Sequence, residues 1–377
     1  MDATHPLPYS PARTDASPAG PLVDALQKAG PRPGAPAFHY RLLSAERVIA
    51  DCFSGYRNVE GQLPATPDTQ YALFSVTKTF TAVAVLQASE AGRLHLDAAA
   101  ADYLPGYGFL GNTTLRQLLA HQSGLGNPLP LRWIHPEAAH DRYDYQQFVA
   151  AALRQARRRG KPGEKTAYSN LNYLVLGEIL EKVSGRPYRA LLESDILRKI
   201  TGDPRLGFQW QSTHRATGYH PTRSLSGLLL GWLLDKRTFT YPASRAWTGF
   251  RPFYTNGLAY GGLFASAGPL GAYLQALLPG RNALLGEHGR RALFTEQPLR
   301  NGKPGGMALG WFTGKLAGHA YRHHAGGGGG FYCEARIYPQ AGLASLLLTN
   351  QSGFSDGRYL DGFDRLYLPQ PAANGRQ

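Results

Sequence analysis

A serine and a lysine three residues apart, Ser75 and Lys78, stand at the start of a long apolar run. On a helix that spacing puts both side chains on one face. With Ser75 at the helix start, its hydroxyl would meet the Lys78 amine and the free N–H groups of the first turn. Such a pair makes a weak hydroxyl nucleophilic without a histidine. Two other groups supply the remaining parts. Tyr168-Ser169-Asn170 follows Pro162-Gly163 and leads into a helical run. A loop tyrosine beside Lys78 can pass protons between serine and leaving group if a nearby cation lowers its pKa. Asn170 would hold Lys78 or a substrate amide oxygen, or act as a turn or helix cap. His324-Ala325-Gly326-Gly327 runs into Gly328-Gly329-Gly330-Phe331. Small residues there let a strand edge approach a bound acyl group. The backbone N–H of Gly327, with that of Ser75, would then form an oxyanion hole.

The elements needed to position these groups follow from the hydrophobic pattern. Phe38 to Leu43 and Val48 to Phe53 read as two strands joined by a turn. The helix that carries Ser75 and Lys78 is expected to reach Ala91, with Gly92 ending it. Thr114 to Leu125 reads as a capped helix and turn, with His121 at the helix end. Helical signals continue at Leu115–Ala120, Tyr145–Arg158, Asn172–Val183, Arg189–Lys199 and Ala267–Leu278, interrupted between 203 and 260 by an aromatic insertion containing Trp210, Trp232 and Trp247. Strand character returns at Ala308–Thr313, Ala320–His324, Phe331–Tyr338 and Ala344–Thr349, before a last helical run at Asp361–Leu368. Strands, a helical middle and strands again imply an α+β fold whose sheet is assembled from both ends of the chain. The expected division is a disordered 1–20, a sheet subdomain of 21–74 with 300–370, and a mainly helical 75–299.

Composition narrows the function classes. The chain has 377 residues, 43% of them hydrophobic, enough for a large core. A net charge of +14 raises nucleic acid or an anionic membrane as partners. The basic residues are scattered, however, apart from Arg154, Arg157, Arg158, Arg159 and Lys161, which read as a solvated helix end and loop. Neither partner is expected; a small-molecule ester or amide substrate is, and the oligomeric state is open. Two cysteines, Cys52 and Cys333, sit in strand-like runs and read as core. His319, His323 and His324 lack acidic or thiol partners at ligand spacing, so no metal and no cofactor are expected. The N-terminus lacks the pattern of a secretion signal, and the longest apolar run, Leu228 to Leu234, is too short to span a bilayer. A cytoplasmic protein is the expectation, or a periplasmic or secreted one if a signal was removed.

Taken together, these motifs resemble the serine β-lactamase and penicillin-recognising superfamily, on the branch of class C β-lactamases, family VIII carboxylesterases and D-amino-acid peptidases. The resemblance runs from about Pro36 to Leu368. It includes Asp68-Thr69-Gln70-Tyr71, Leu94-His95-Leu96-Asp97, Ala216-Thr217-Gly218-Tyr219 and Leu348-Thr349-Asn350. It implies a β-lactamase/transpeptidase-like fold, a mostly antiparallel sheet flanked by helices. It also implies acyl transfer through Ser75, with Lys78 or Tyr168 as base and with Asn170, His324, Ala325 and Gly326 binding substrate. One departure stands out. Relatives that hydrolyse β-lactams carry Lys-Thr-Gly where this chain has His324-Ala325-Gly326, and that lysine helps hold the β-lactam carboxylate. Ester hydrolysis is therefore the leading expectation. β-Lactam or D-amino-acid peptide hydrolysis, acyl transfer to a small molecule, and a silent ligand-binding relative are the alternatives. Gly353-Phe354-Ser355-Asp356-Gly357 also fits the nucleophile elbow of α/β-hydrolases. No histidine follows it, so that match reads as accidental.

Overall fold

Alternation of apolar and polar residues makes an antiparallel hairpin of Phe38–Ser44 (β1) and Val48–Ser54 (β2). The structure is a computed structural model describing residues 34–127, 133–224, 234–353 and 357–369. The expectations for residues 1–29, most of Leu228–Leu234, Trp232 and Ser355 lie outside the described residues. Along the chain follow the helices Thr77–Glu90 (α1), Leu115–Leu119 (α2), Asn170–Ser184 (α3) and Ala267–Ala276 (α4). Then come the strands Phe312–Leu316 (β3), His319–Gly328 (β4), Phe331–Tyr338 (β5) and Leu343–Thr349 (β6), and the helix Gly357–Asp364 (α5).

One six-stranded antiparallel sheet joins the two ends of the chain in the order β3-β4-β5-β6-β1-β2. The closing pair is β1 on β6, with Phe38 opposite Thr349 and Ser44 opposite Leu343. Side chains alternate between two layers. Cys333, Ala335, Ile337, Leu346 and Leu348 face the main core with α1 and α4. Tyr40, Cys52 and Leu347 face the other way, against Leu360 and Phe363 of α5. Both cysteines are buried in this packing.

Helix α1 is enclosed on nearly every side, with 11 of its 14 residues buried. A helix that is apolar all round belongs in the centre of a domain, and α1 packs against α3 and other helices. Gly92, just past its end, takes the left-handed conformation expected of it, φ +69°. At its start the structure corrects the sequence reading. Ser75 is not in the α-helix; it lies in a 3-10 turn, Phe74–Val76, and α1 begins at Thr77.

Other boundaries shift for local reasons. The run read as helix to Arg158 ends at Arg154, because the Arg158 backbone bridges to Leu125. Arg158 itself is no solvated residue. Its guanidinium donates to the carbonyls of Phe109, Leu110 and Ser123 and to Thr113 Oγ1. Of Ala308–Thr313 only the end is strand; Ala308 bonds back to Trp311 in a turn and Gly310 donates to the Leu119 carbonyl. The last helix is α5, ending at Asp364 and followed by turns. In its described part the 203–260 stretch is turns and loops carrying short strands, among them Tyr219–Pro221, Thr240–Pro242 and Trp247–Phe250 in one small sheet. Among the described residues no helix is long and apolar enough to cross a membrane.

Candidate active site

The turn that presents Ser75 is held by its neighbours. Phe74 has φ +42°, a conformation that bulky residues rarely adopt. Its ring packs 6.1 Å from that of Phe253 and 6.5 Å from that of Phe331, measured between centroids. The Leu73 amide donates to the Leu263 carbonyl at 2.9 Å. Packing and hydrogen bonds on both sides thus hold the strained residue and aim the next one, Ser75, out of the core.

Ser75 Oγ meets two groups. Lys78 Nζ lies 3.0 Å away, and the Tyr168 hydroxyl donates to it at 2.7 Å. The spacing of three still works across the junction of 3-10 turn and α-helix, because both wind the same way. Lys78 is fully buried. Its amine also donates to the Tyr260 carbonyl at 2.9 Å. It stands 4.9, 5.4 and 5.6 Å from the ring centres of Tyr168, Tyr260 and Tyr173. Among the described residues no carboxylate pairs with it. Burial without a counter-ion pushes its pKa well below 10.5.

Tyr168 departs from expectation. No cation lowers its pKa; burial pushes the phenol up, and the hydrogen bond with Ser75 offsets only part of that. Both partners of Ser75 therefore favour their neutral forms.

His121, expected merely to end a helix, forms the wall behind Tyr168, its ring centre 4.4 Å from the tyrosine ring. Helix α2 leads to it with a capping box, Thr114 and Gln117 exchanging side-chain and backbone hydrogen bonds. A left-handed turn at His121, φ +54°, then swings the imidazole inward. Its Nδ1 accepts from the Ser169 amide and from Asn172 Nδ2, both at 3.1 Å. Nδ1 is thus the unprotonated nitrogen and Nε2 carries the hydrogen. Among the described residues Nε2 has no partner, and it is buried.

Asn170 is the first residue of α3, two residues from Tyr168. It does not hold Lys78, whose partners are Ser75 and Tyr260, and its side chain makes no cap. Its backbone donates to Asn127 Oδ1 at 3.0 Å, and its own Oδ1 is buried without a partner among the described residues.

The third motif lies on β4 across from the serine. Gly326 meets the serine turn directly. A Cβ there would overlap the Leu73 carbonyl oxygen and stand 2.9 Å from the Ser75 amide nitrogen, so only glycine fits without a shift of backbone. Gly327 is exposed and lies beyond the last β3 partner of β4, the pair Phe312 and His323. His324 is 1% exposed rather than at a pocket edge. Its Nδ1 donates to the Ala325 carbonyl at 2.8 Å, which leaves Nε2 as a buried acceptor with no partner among the described residues. Burial, with the charge of Lys78 second, lowers its pKa to about 3. Ala325 is the exception among the expected site residues. Alternation turns its side chain to the opposite face of the strand from His324 and Gly326, and only its carbonyl takes part.

Sequence reasoning missed three contributors: the Tyr260 carbonyl, the His121 wall and the Arg158 clamp on the turn that carries His121. A backbone carbonyl has no signature. The run Thr114 to Leu125 marked a turn but not where its histidine points.

Residues 7–368 match the family model named Beta-lactamase. Protein flp of Staphylococcus aureus (strain COL) is 30% identical over 172 residues, 44% of this chain and 34% of that protein. The match spans only about a third of that relative. Among solved structures, the D-amino acid amidase from Ochrobactrum anthropi SV3, complexed with L-phenylalanine, has a TM-score of 0.72 at 20% identity, covering 92% of this chain and 94% of that one. The class C beta lactamase from Rhodobacter sphaeroides has a TM-score of 0.68 at 20% identity, covering 92% and 98%. At these identities the likeness is one of fold: a β-lactamase/transpeptidase-like antiparallel sheet flanked by helices. Because the family model spans nearly the whole chain, the chain belongs to the Beta-lactamase family, whose members are serine acyl-enzyme hydrolases.

Proposed function

We propose that this chain forms an acyl-enzyme on Ser75 and hydrolyses carboxylic esters. The observation that carries the reading is a single oxygen with two proton-handling neighbours, Ser75 Oγ between Lys78 at 3.0 Å and Tyr168 at 2.7 Å. The pKa directions assign the roles. Lys78, whose amine burial shifts toward its neutral form, takes the Ser75 proton as Oγ attacks the ester carbonyl. Tyr168, pushed up, remains a phenol and acts as donor. As the tetrahedral intermediate collapses, Tyr168 protonates the departing alkoxide and the Lys78 ammonium restores the phenol. The amides of Ser75 and Gly327 hold the oxyanion, roughly 2.7–4 kcal/mol for each donor. Water then attacks the acyl group as its proton passes to Lys78, and the Lys78 ammonium returns that proton to Ser75 Oγ as the carboxylic acid leaves.

His324 separates this activity from β-lactam hydrolysis. A neutral imidazole, its pKa near 3, gives a β-lactam carboxylate no counter-ion. A second reading, hydrolysis of D-amino-acid amides, has one observation in its favour. The unpartnered Oδ1 of Asn170 asks for an N–H donor, which an amino-acid amide carries and a simple ester lacks.

Turnover of p-nitrophenyl butyrate, nitrocefin and a D-phenylalanine anilide separates these readings, the butyrate being expected to be fastest. A fluorophosphonate adduct should appear by mass spectrometry on the peptide that holds Ser75. An adduct elsewhere, or undiminished ester turnover by Ser75→Ala, would overturn the assignment.

A further inference from the structure

A cavity of about 240 Å³ lies behind the aromatic residues that hold the serine turn. Trp210, Tyr241, Phe253 and Phe331 wall it, Arg215 and Arg251 are its charged residues, and among the described residues no aspartate or glutamate lines it. The walls are fixed. The Trp210 indole N–H donates to the Phe253 carbonyl at 3.2 Å, and its ring stands 3.9 Å from Phe264 and 5.9 Å from Phe331. The Tyr241 hydroxyl donates to Glu60. Over the Tyr241 ring, at 5.6 Å, lies the Arg251 guanidinium. Arg215 is bonded to Glu137 at 2.7 Å, whereas Arg251 has no carboxylate partner among the described residues.

The cavity is linked to Ser75 through one side chain. Phe74 packs on Phe253 and Phe331, both of which line the cavity. The glycine tip between β4 and β5 keeps this partition thin. Gly329 has φ +49°, and a Cβ on it would run into the Phe253 ring. Phe74, the residue before Ser75, is thus in direct contact with two rings of the cavity wall.

We infer that this cavity is a subsite for a substrate's distal carboxylate, with the apolar or aromatic body of the acid on Trp210 and Phe331 and the carboxylate on Arg251. An aromatic wall ending in a planar, permanently charged fork suits that chemistry. An ammonium would face the repulsion of two arginines. The connection to catalysis rests on the ester-hydrolase reading above; the binding site does not.

The test is therefore made first on Ser75→Ala protein, which cannot turn over. Calorimetric titration with 4-phenylbutyrate should show binding at least tenfold tighter than with 4-phenylbutyramide. Adding Arg251→Ala should remove that preference, and Arg251→Lys should keep part of it. Arg251 is exposed, so its loss should leave the melting temperature in place. In active protein, the KM for p-nitrophenyl half-esters of long dicarboxylic acids should rise about tenfold more in Arg251→Ala than that for their methyl-capped counterparts. Equal binding of acid and amide, or acid binding untouched by Arg251→Ala, overturns the subsite. Inorganic phosphate displacing the acid at equal concentration overturns the carboxylate assignment. Either result leaves ester hydrolysis at Ser75 standing, while a failure to hydrolyse esters would leave the titration in force.

Discussion

Two buried polar clusters lie on opposite faces of the sheet, and they differ in how completely their groups are paired. Against α5, Asp364 is fully buried and accepts from Tyr40 at 2.9 Å, Tyr338 at 2.6 Å and Ser345 at 2.8 Å. Arg336 stands 3.7 Å from it and also pairs with Glu334 and Asp361. On the other face, among the described residues, Lys78 has no carboxylate, and His121 Nε2, His324 Nε2 and Asn170 Oδ1 have no partner. Burying polar groups costs free energy in both places. Around Asp364 that cost is offset by hydrogen bonds, and the cluster pins a helix to a sheet. Around Ser75 it is left standing, and the groups keep donors, acceptors and shifted proton affinities for something else to use. The contrast separates structural from chemical polar clusters more sharply than residue type does.

The largest expected effects test the chemical side. Ser75→Ala should lower ester kcat/KM by at least about a thousandfold, and Tyr168→Phe by roughly a hundred to ten thousandfold, the range of a lost general acid. Both variants should melt within about a degree or two of the parent, since each removes a single hydroxyl from a partly exposed residue. A large fall in melting temperature for either would mean that the site is held together like the Asp364 cluster, and the contrast would fail.

The converse is Asp364→Ala. It leaves three buried hydroxyls without their acceptor and Arg336 short of one anion, at a cost of about 3–5 kcal/mol. Activity per folded molecule should persist, because the cluster faces away from Ser75. Denaturant unfolding alongside active-site titration reads both quantities.

The same contrast governs what was legible in the sequence. Ser75, Lys78 and Tyr168 could be named because nucleophile activation demands particular residue types at short spacing or in a fixed order. The strands could be named because a two-residue period survives in Phe38–Ser44 and Phe331–Tyr338. Partnering was not legible. Whether Tyr168 has its pKa lowered by a cation or raised by burial depends on how α3 packs on α1, which no local pattern encodes. Arg158 read as one of a solvated basic run, yet it clamps four acceptors, because the chain folds back there at Leu125. Asp364 drew no notice, since its three partners come from three separate strands.

The smallest effect is also the most discriminating, because the two clusters should respond to pH in opposite senses. Activity requires neutral Lys78, so kcat/KM should rise with pH through an apparent pKa well below 10.5, with no falling limb until strongly alkaline pH because Tyr168 is pushed up. Burial raises Asp364 from 3.8 to about 6 against the pull of Arg336 and its hydroxyl donors. The native state then binds more protons than the unfolded one between about pH 4 and 6, so this carboxyl's contribution is full below its unfolded pKa and is lost as pH rises through the folded one. The loss is on the order of 3 kcal/mol. The buried histidines act oppositely: His324, lowered from 6.5 to about 3, makes stability rise with pH across that window. The Asp364 effect must therefore be read as a difference. The stability of the parent minus that of Asp364→Asn should fall from pH 4 to 6.5, while kcat/KM of the two proteins should trace the same rising limb. A flat difference would mean that Asp364 is an ordinary ionised carboxylate. A displaced activity limb in Asp364→Asn would mean that the two faces of the sheet share their protons after all.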